Sequence, residues 1–252
     1  MNDFLIHWFV VFVRVGALMA VLPAFSMTNV PPRVRVALAL VLSLVTGPIA
    51  TGPTPVGDHR FVAAVAGELG VGLILGFVCR MMVFTIEVAG ALITTDIGLQ
   101  MSSAFSPLTN SATNVPTTLL QWLGLMLMFA LNLHHWMIAA IVRSYTLVPI
   151  GGFHVSEALA NDLIRRSSVI FSIGVEMATP LMAVSFVITM VFALLSRAVP
   201  ALNVFTDSFA IRILTGLSVF GMTVFLTAEH ISNLLRRLPE DLAKVSSLIG
   251  GT

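Results

Sequence analysis

Five ionisable side chains lie where the surrounding sequence is otherwise apolar: Arg14, Glu68, Arg80, Glu87 and Glu176. A charge at the middle of a bilayer costs at least about 2.5–3.5 kcal/mol on insertion scales, so such residues face protein or water rather than lipid. Two readings are open. They form an ion or proton path, or they pair between helices as buried charges and fix an assembly. Arg80 and Glu87 share one helix face two turns apart, too distant for an i,i+4 pair. The five do not line up as a relay on one helix.

Other chemistry finds little footing. The chain has no HExxH, and its six histidines show no ligand spacing. His134-His135-Trp136, at the end of an apolar stretch, reads as an interfacial anchor rather than a metal site. GxSxG and SxxK are missing. Lys244 is the sole lysine and has no Gly-rich loop before it, so no P-loop exists. Gly70-x-Gly72 lies inside an apolar helix with no strand before it and is not a nucleotide fingerprint. These absences point to a chain that is not an enzyme and that uses no metal or cofactor. Cys79 is the single cysteine, so no internal disulfide forms.

The elements that must position these residues are apolar helices. Of 252 residues, 57% are hydrophobic and only 10% charged, against roughly 25% charged in soluble domains. That places the chain in a membrane or a very apolar assembly, and a net charge of +1 argues against a nucleic-acid partner. The N-terminus lacks a basic leader region and carries Arg14, so it reads as a span rather than a signal peptide. Apolar stretches run at approximately 4–24, 34–50, 61–94, 118–142, 168–196 and 209–230, near the ~20 residues of a helical span. The fold class is therefore all-α: membrane-associated helical hairpins with about six long apolar segments. Pro180 should kink the fifth stretch or break it in two. With six crossings, loop arginines and Lys244 weakly favour cytoplasmic termini. The third stretch carries small-xxx-small spacings, Ala63/Gly67, Ala66/Gly70 and Gly72/Gly76, which let backbones approach closely.

Between the third and fourth stretches lies a polar, uncharged segment, Gln100-Met101-Ser102-Ser103-Ala-Phe105-Ser106-Pro107, continuing through Asn110 and Asn114 to Pro116. Ser, Thr and Asn satisfy their hydrogen bonds with water or backbone, and the prolines disfavour regular helix. By itself this suits a solvated connection.

Several motifs then point one way. Val30–Leu44 (VPPRVRVALALVLSL) resembles the early segment of the FliR/SctT family, export-gate proteins of bacterial flagella and type III secretion systems. Gly90 with Ile97-Gly98-Leu99-Gln100-Met101 resembles its GxxIGLQMG motif. Asn132-Leu-His134-His135 leading to Ser144-Tyr145-Thr-Leu-Val-Pro149-Ile150-Gly151 is similar to its NxH…SFxxlPiG pattern. Arg197-Ala-Val-Pro200-Ala-Leu-Asn203-Val204-Phe205 resembles RxxPQhNVF. Departures are Ser102 for Gly, Ala201 for Gln, and Ser208, Ala210 and Arg212 where GFPLKI is common.

The resemblance implies one helical domain over 1–252: a FliP-like portion (1–167), a FliQ-like hairpin (168–230) and a cytoplasmic tail (231–252). It implies a multi-pass protein of the bacterial inner membrane, at the flagellar basal body. The implied partners are FliP-like and FliQ-like gate subunits, FlhB-like and FlhA-like export proteins, unfolded protein substrates and lipid. It also implies that the segment after IGLQM projects into the pore as a plug, and that much of the complex stands above the membrane plane. A reading from another class is a small-molecule or ion-coupled transporter using Glu68, Arg80, Glu87 and Glu176.

Overall fold

The computed structural model describes residues 2–22, 30–50, 52, 58–99, 114–199 and 204–251, and every regular element among them is a helix. They are α1 (Asn2–Val21), α2 (Pro32–Thr46), α3 (Asp58–Ile97), α4 (Val115–Ala130), α5 (Leu133–Leu147), α6 (Glu157–Ala198), α7 (Val204–Arg236) and α8 (Leu238–Gly250). Four have the length and composition of a bilayer crossing: α1, α3, α6, and the run from Ser208 through α8. A fifth crossing arises if α4 and α5 make one broken span. The stretch at 34–50 folds as the 15-residue α2, shorter than a hydrocarbon core requires. The tally of basic residues assumed six crossings and therefore carries no orientation here.

Local sequence sets the boundaries. Pro32 and Pro116 sit in first turns, where no intrahelical donor is lost. Ser156 caps α6, its hydroxyl accepting the Leu159 N–H at 3.1 Å. Asn132 separates α4 from α5 with φ 56, a left-handed conformation that asparagine tolerates better than most residues. Gly251 closes α8 with φ 72. Of the kink or break expected at Pro180, the break does not occur: α6 is one helix from Glu157 to Ala198. Pro180 has no N–H to give the Glu176 carbonyl, a loss that long apolar helices tolerate; one residue earlier, Thr179 Oγ donates to the Val175 carbonyl at 2.8 Å.

The chain divides into two compact units. Unit 1 comprises residues 1–83, 128–167 and 234–252; unit 2 comprises 84–127 and 168–233. In unit 1, α1 buries Val11, Arg14, Val15 and Leu18, the 3–4 spacing of one helix face. In unit 2, glycines bring helices close to the end of α3. A Cβ on Gly90 would sit 2.6 Å from the Thr117 Cα, one on Gly174 would sit 2.8 Å from Val88, and one on Gly216 would sit 2.8 Å from Ile97. Much of α6 and α7 stays uncovered: Phe171, Phe186, Met222 and Phe225 are all exposed.

Candidate functional site

The strongest polar feature of unit 1 is a closed node built on Arg14. Its Nε donates to Glu68 Oε2 at 2.5 Å and its Nη2 to Glu68 Oε1 at 2.8 Å, a bidentate ion pair joining α1 to α3. Nη2 also donates to the Val148 carbonyl at 2.9 Å, and Nη1 to Ser144 Oγ at 3.2 Å. The guanidinium lies 4.0 Å over the Tyr145 ring, and Tyr145 Oη donates to the Val11 carbonyl at 3.2 Å. Four of the five guanidinium N–H groups therefore have partners. Arg14 and Glu68 are each only 1% exposed. Low local dielectric strengthens this network and makes any unpaired member costly.

The node explains why α1 and α3 touch. For Arg14 to reach Glu68, the backbones must come together, and Gly72 and Gly76 allow it. A Cβ on Gly72 would collide with the Arg14 carbonyl and sit 2.8 Å from the Ala17 Cβ; one on Gly76 would sit 2.9 Å from Val21. Gly67 and Gly70 do different work. Their faces form a slot for Phe153: its Cβ would stand 3.1 Å from a Cβ added at Gly67, and its ring Cζ 3.0 Å from one added at Gly70. That ring belongs to the segment after Gly151 (φ 82), a positive value suited to glycine.

The other charges separate from the node. Arg80 and Glu87 are half-buried on α3, and Glu87 accepts from Gln121 Nε2 at 3.1 Å within unit 2. Glu176 is exposed on α6. Near the end of α3, Ser185 Oγ donates to the Asp96 carbonyl at 3.3 Å, and Arg212 Nη2 donates to Thr189 Oγ at 2.9 Å. Asp96, Ser185 and Arg212 line one small cavity there. Of the polar segment, Gln100, Met101, Ser102, Ser103, Phe105, Ser106, Pro107 and Asn110 lie outside the described residues. Asn114 is exposed and accepts the Thr118 N–H at 2.9 Å, while Pro116 is buried in the first turn of α4.

His134 and His135 have ring centroids 4.1 Å apart, and Phe129 lies 5.3 Å from His134. Among the described residues no group of three or more His, Cys, Asp or Glu could hold a metal. Unit 1 also carries a surface network: Asp162 with Arg166 at 2.5 Å and Lys244 at 2.7 Å, and Arg166 with Asp241 at 2.5 Å.

Sequence reasoning named Arg14 and Glu68 separately and missed Ser144, Tyr145 and Val148 as their partners. The signal was present in part: all three lie in the short stretch 144–148 ahead of Pro149 that carries the family resemblance.

Comparison with known proteins adds an independent finding. The family model described as bacterial export proteins, family 1, matches residues 5–238. The flagellar biosynthetic protein FliR of Caulobacter vibrioides is 31% identical over 220 residues, covering 85% of this chain and 86% of that protein. The protein of the same name from Escherichia coli is 26% identical over 235 residues, 93% of this chain and 90% of the other. That from Bacillus subtilis is 23% identical over 244 residues, 95% and 94%.

Proposed function

The chain belongs to the bacterial export proteins, family 1, the FliR/SctT family, and on that premise we propose that it is a non-catalytic subunit of a flagellar type III protein export gate. The observation that carries the proposal is similarity to proteins named flagellar biosynthetic protein FliR over most of both chains. The uncovered apolar surface of α6 and α7 supports it: the most apolar windows of these two spans are only 22% and 6% buried, as befits a surface covered by other subunits or lipid.

In this reading the chain joins FliP-like and FliQ-like subunits, contacts FlhB-like and FlhA-like proteins, and passes unfolded substrates through an inner-membrane pore at the basal body. Its 168–230 portion is the FliQ-like hairpin. The segment from Gln100 to Pro116 plugs the pore, uncharged so that passing chains of either sign are not trapped. The Arg14–Glu68 node holds α1 against α3 so that the gate subunit keeps one shape.

No specific observation favours the transporter reading. Glu68 is taken by Arg14, Glu87 accepts from Gln121, and Glu176 is exposed.

The test is co-expression with the neighbouring genes, extraction in mild detergent and native mass spectrometry. One copy of this chain with several copies of two smaller apolar proteins is the expected result. A stable monomer or homodimer without partners would overturn the proposal. For the plug, deletion of 106–113 should raise ion leakage through the assembled gate; unchanged leakage sinks that part alone.

A further inference from the structure

Unit 1 contains a cleft that the export reading leaves unused. It lies between α5 and α8 and encloses about 100 Å³. On α5, Trp136, Ala139, Ala140 and Arg143 line it, with the 3–4 spacing of a single helix face. On α8, Pro239 and Leu242 supply apolar wall. The alanines leave the space open, and Leu242 is buried.

Among the described residues that line this cleft, Arg143 is the one cation. Arg143 is exposed, and its guanidinium makes no hydrogen bond or ion pair among the described residues. The surface network of the same unit does not supply its counter-charge, because Asp162 is taken by Arg166 and Lys244, and Asp241 by Arg166. Trp136 stands at the cleft 55% exposed, and Ile138 on the same helix is 40% exposed. A long cationic side chain beside an exposed indole, above an apolar wall, is the chemistry of the lipid headgroup level.

We propose that this cleft binds the phosphate of an anionic phospholipid, with Arg143 as the cation, Trp136 against the headgroup, and the first methylenes along Pro239 and Leu242. Free phosphate shares the anion chemistry but fits worse. It is a mixture of mono- and dianion at neutral pH and strongly hydrated, and Arg143 is the one cationic side chain lining the cleft; Ser246 Oγ already donates to the Leu242 carbonyl at 2.8 Å. A phosphodiester carries a single negative charge, and its apolar tail uses the wall that free phosphate would leave bare.

The experiment uses the full chain in its detergent-extracted complex. Brominated phosphatidylglycerol, brominated phosphatidylcholine or inorganic phosphate is titrated while tryptophan fluorescence is read, with Trp136→Phe isolating the Trp136 signal. Saturable quenching by brominated phosphatidylglycerol, absent in Trp136→Phe, is expected. Arg143→Gln should weaken it about fivefold, while Arg143→Lys, which keeps the point charge, stays within about twofold. Arg143 is exposed, so both variants should keep the parent's thermal midpoint, which is recorded alongside. Equal quenching by phosphatidylcholine, competition by inorganic phosphate, or an Arg143→Gln curve that overlays the parent would each overturn the proposal.

Discussion

Glu68→Gln is the sharpest perturbation of the buried node. It keeps the size of the side chain and removes its charge. Arg14 then meets one amide oxygen and one NH₂ group where it met two carboxylate oxygens at 2.5 and 2.8 Å, so a donor faces a donor. The bonds to Val148 and Ser144 remain, but the guanidinium is 1% exposed and has lost its counter-charge. Stranding one partner of a buried pair costs about 3–5 kcal/mol. Arg14→Met strands Glu68 instead and also frees the Val148 carbonyl, with a loss of similar size. In the double variant Arg14→Met/Glu68→Leu both charges are gone. The unpaired Val148 carbonyl still costs about 1–3 kcal/mol, offset in part by the apolar pair, which avoids the desolvation of two ions. The double variant should therefore lie closer to the parent than either single, with a coupling of at least about 2 kcal/mol. The assay is denaturant unfolding of the four chains in mixed micelles, followed by tryptophan fluorescence. Single losses below about 1 kcal/mol that add up to the double within about 0.5 kcal/mol would refute the reasoning.

Other substitutions probe packing and surface charge. Gly72→Ala should destabilise by about 1–3 kcal/mol through overpacking against Arg14 and Ala17, whereas Gly221→Ala, with nothing within 4 Å of its added Cβ, should be neutral or stabilise by up to about 1 kcal/mol; thermal unfolding in detergent ranks the two. Asp162→Asn should cost about 1 kcal/mol at low salt and lose most of that effect in 1 M salt, because its partners Arg166 and Lys244 are near the surface. Arg212→Gln removes the donor to Thr189 Oγ and should speed amide exchange at Leu99, whose N–H bonds the Thr94 carbonyl at 3.1 Å close to that contact; unchanged exchange at Leu99 would show that Arg212 does not steady the end of α3.

Helical class was legible because apolar runs long enough for spans leave few alternatives. The length of the second stretch was not, since Pro31, Pro32 and the turn after Thr46 confine it to 15 residues. Pro180 does not end α6, because local propensity is judged without the neighbours that make up for a lost backbone donor. The small-residue spacing at Gly72 and Gly76 announced a close helix approach, and α1 fills it. The same spacing at Ala63/Gly67 and Ala66/Gly70 instead has its glycines against the Phe153 side chain, and nothing in a spacing distinguishes a backbone from an aromatic side chain. Arg14 and Glu68 were each visible as misplaced charges. Their pairing was not, because their separation of 54 residues leaves no local periodicity to read.

That separation also gives the node a history in time. Glu68 follows Arg14 by 54 residues and Val148 by 134. At roughly 5–20 residues per second, the carboxylate leaves the ribosome about 3–11 s after the guanidinium, and the carbonyl about 7–27 s after it. Throughout that interval α1, apolar enough to enter a bilayer with a mean hydropathy of 2.1, carries a cation without its final partners. A chain halted before Val148 lacks the carbonyl that Arg14 Nη2 bonds, and only a chain extended past α5 can close the node. The same contacts that hold the finished protein thus set the earliest point in synthesis at which Arg14 can have all its partners.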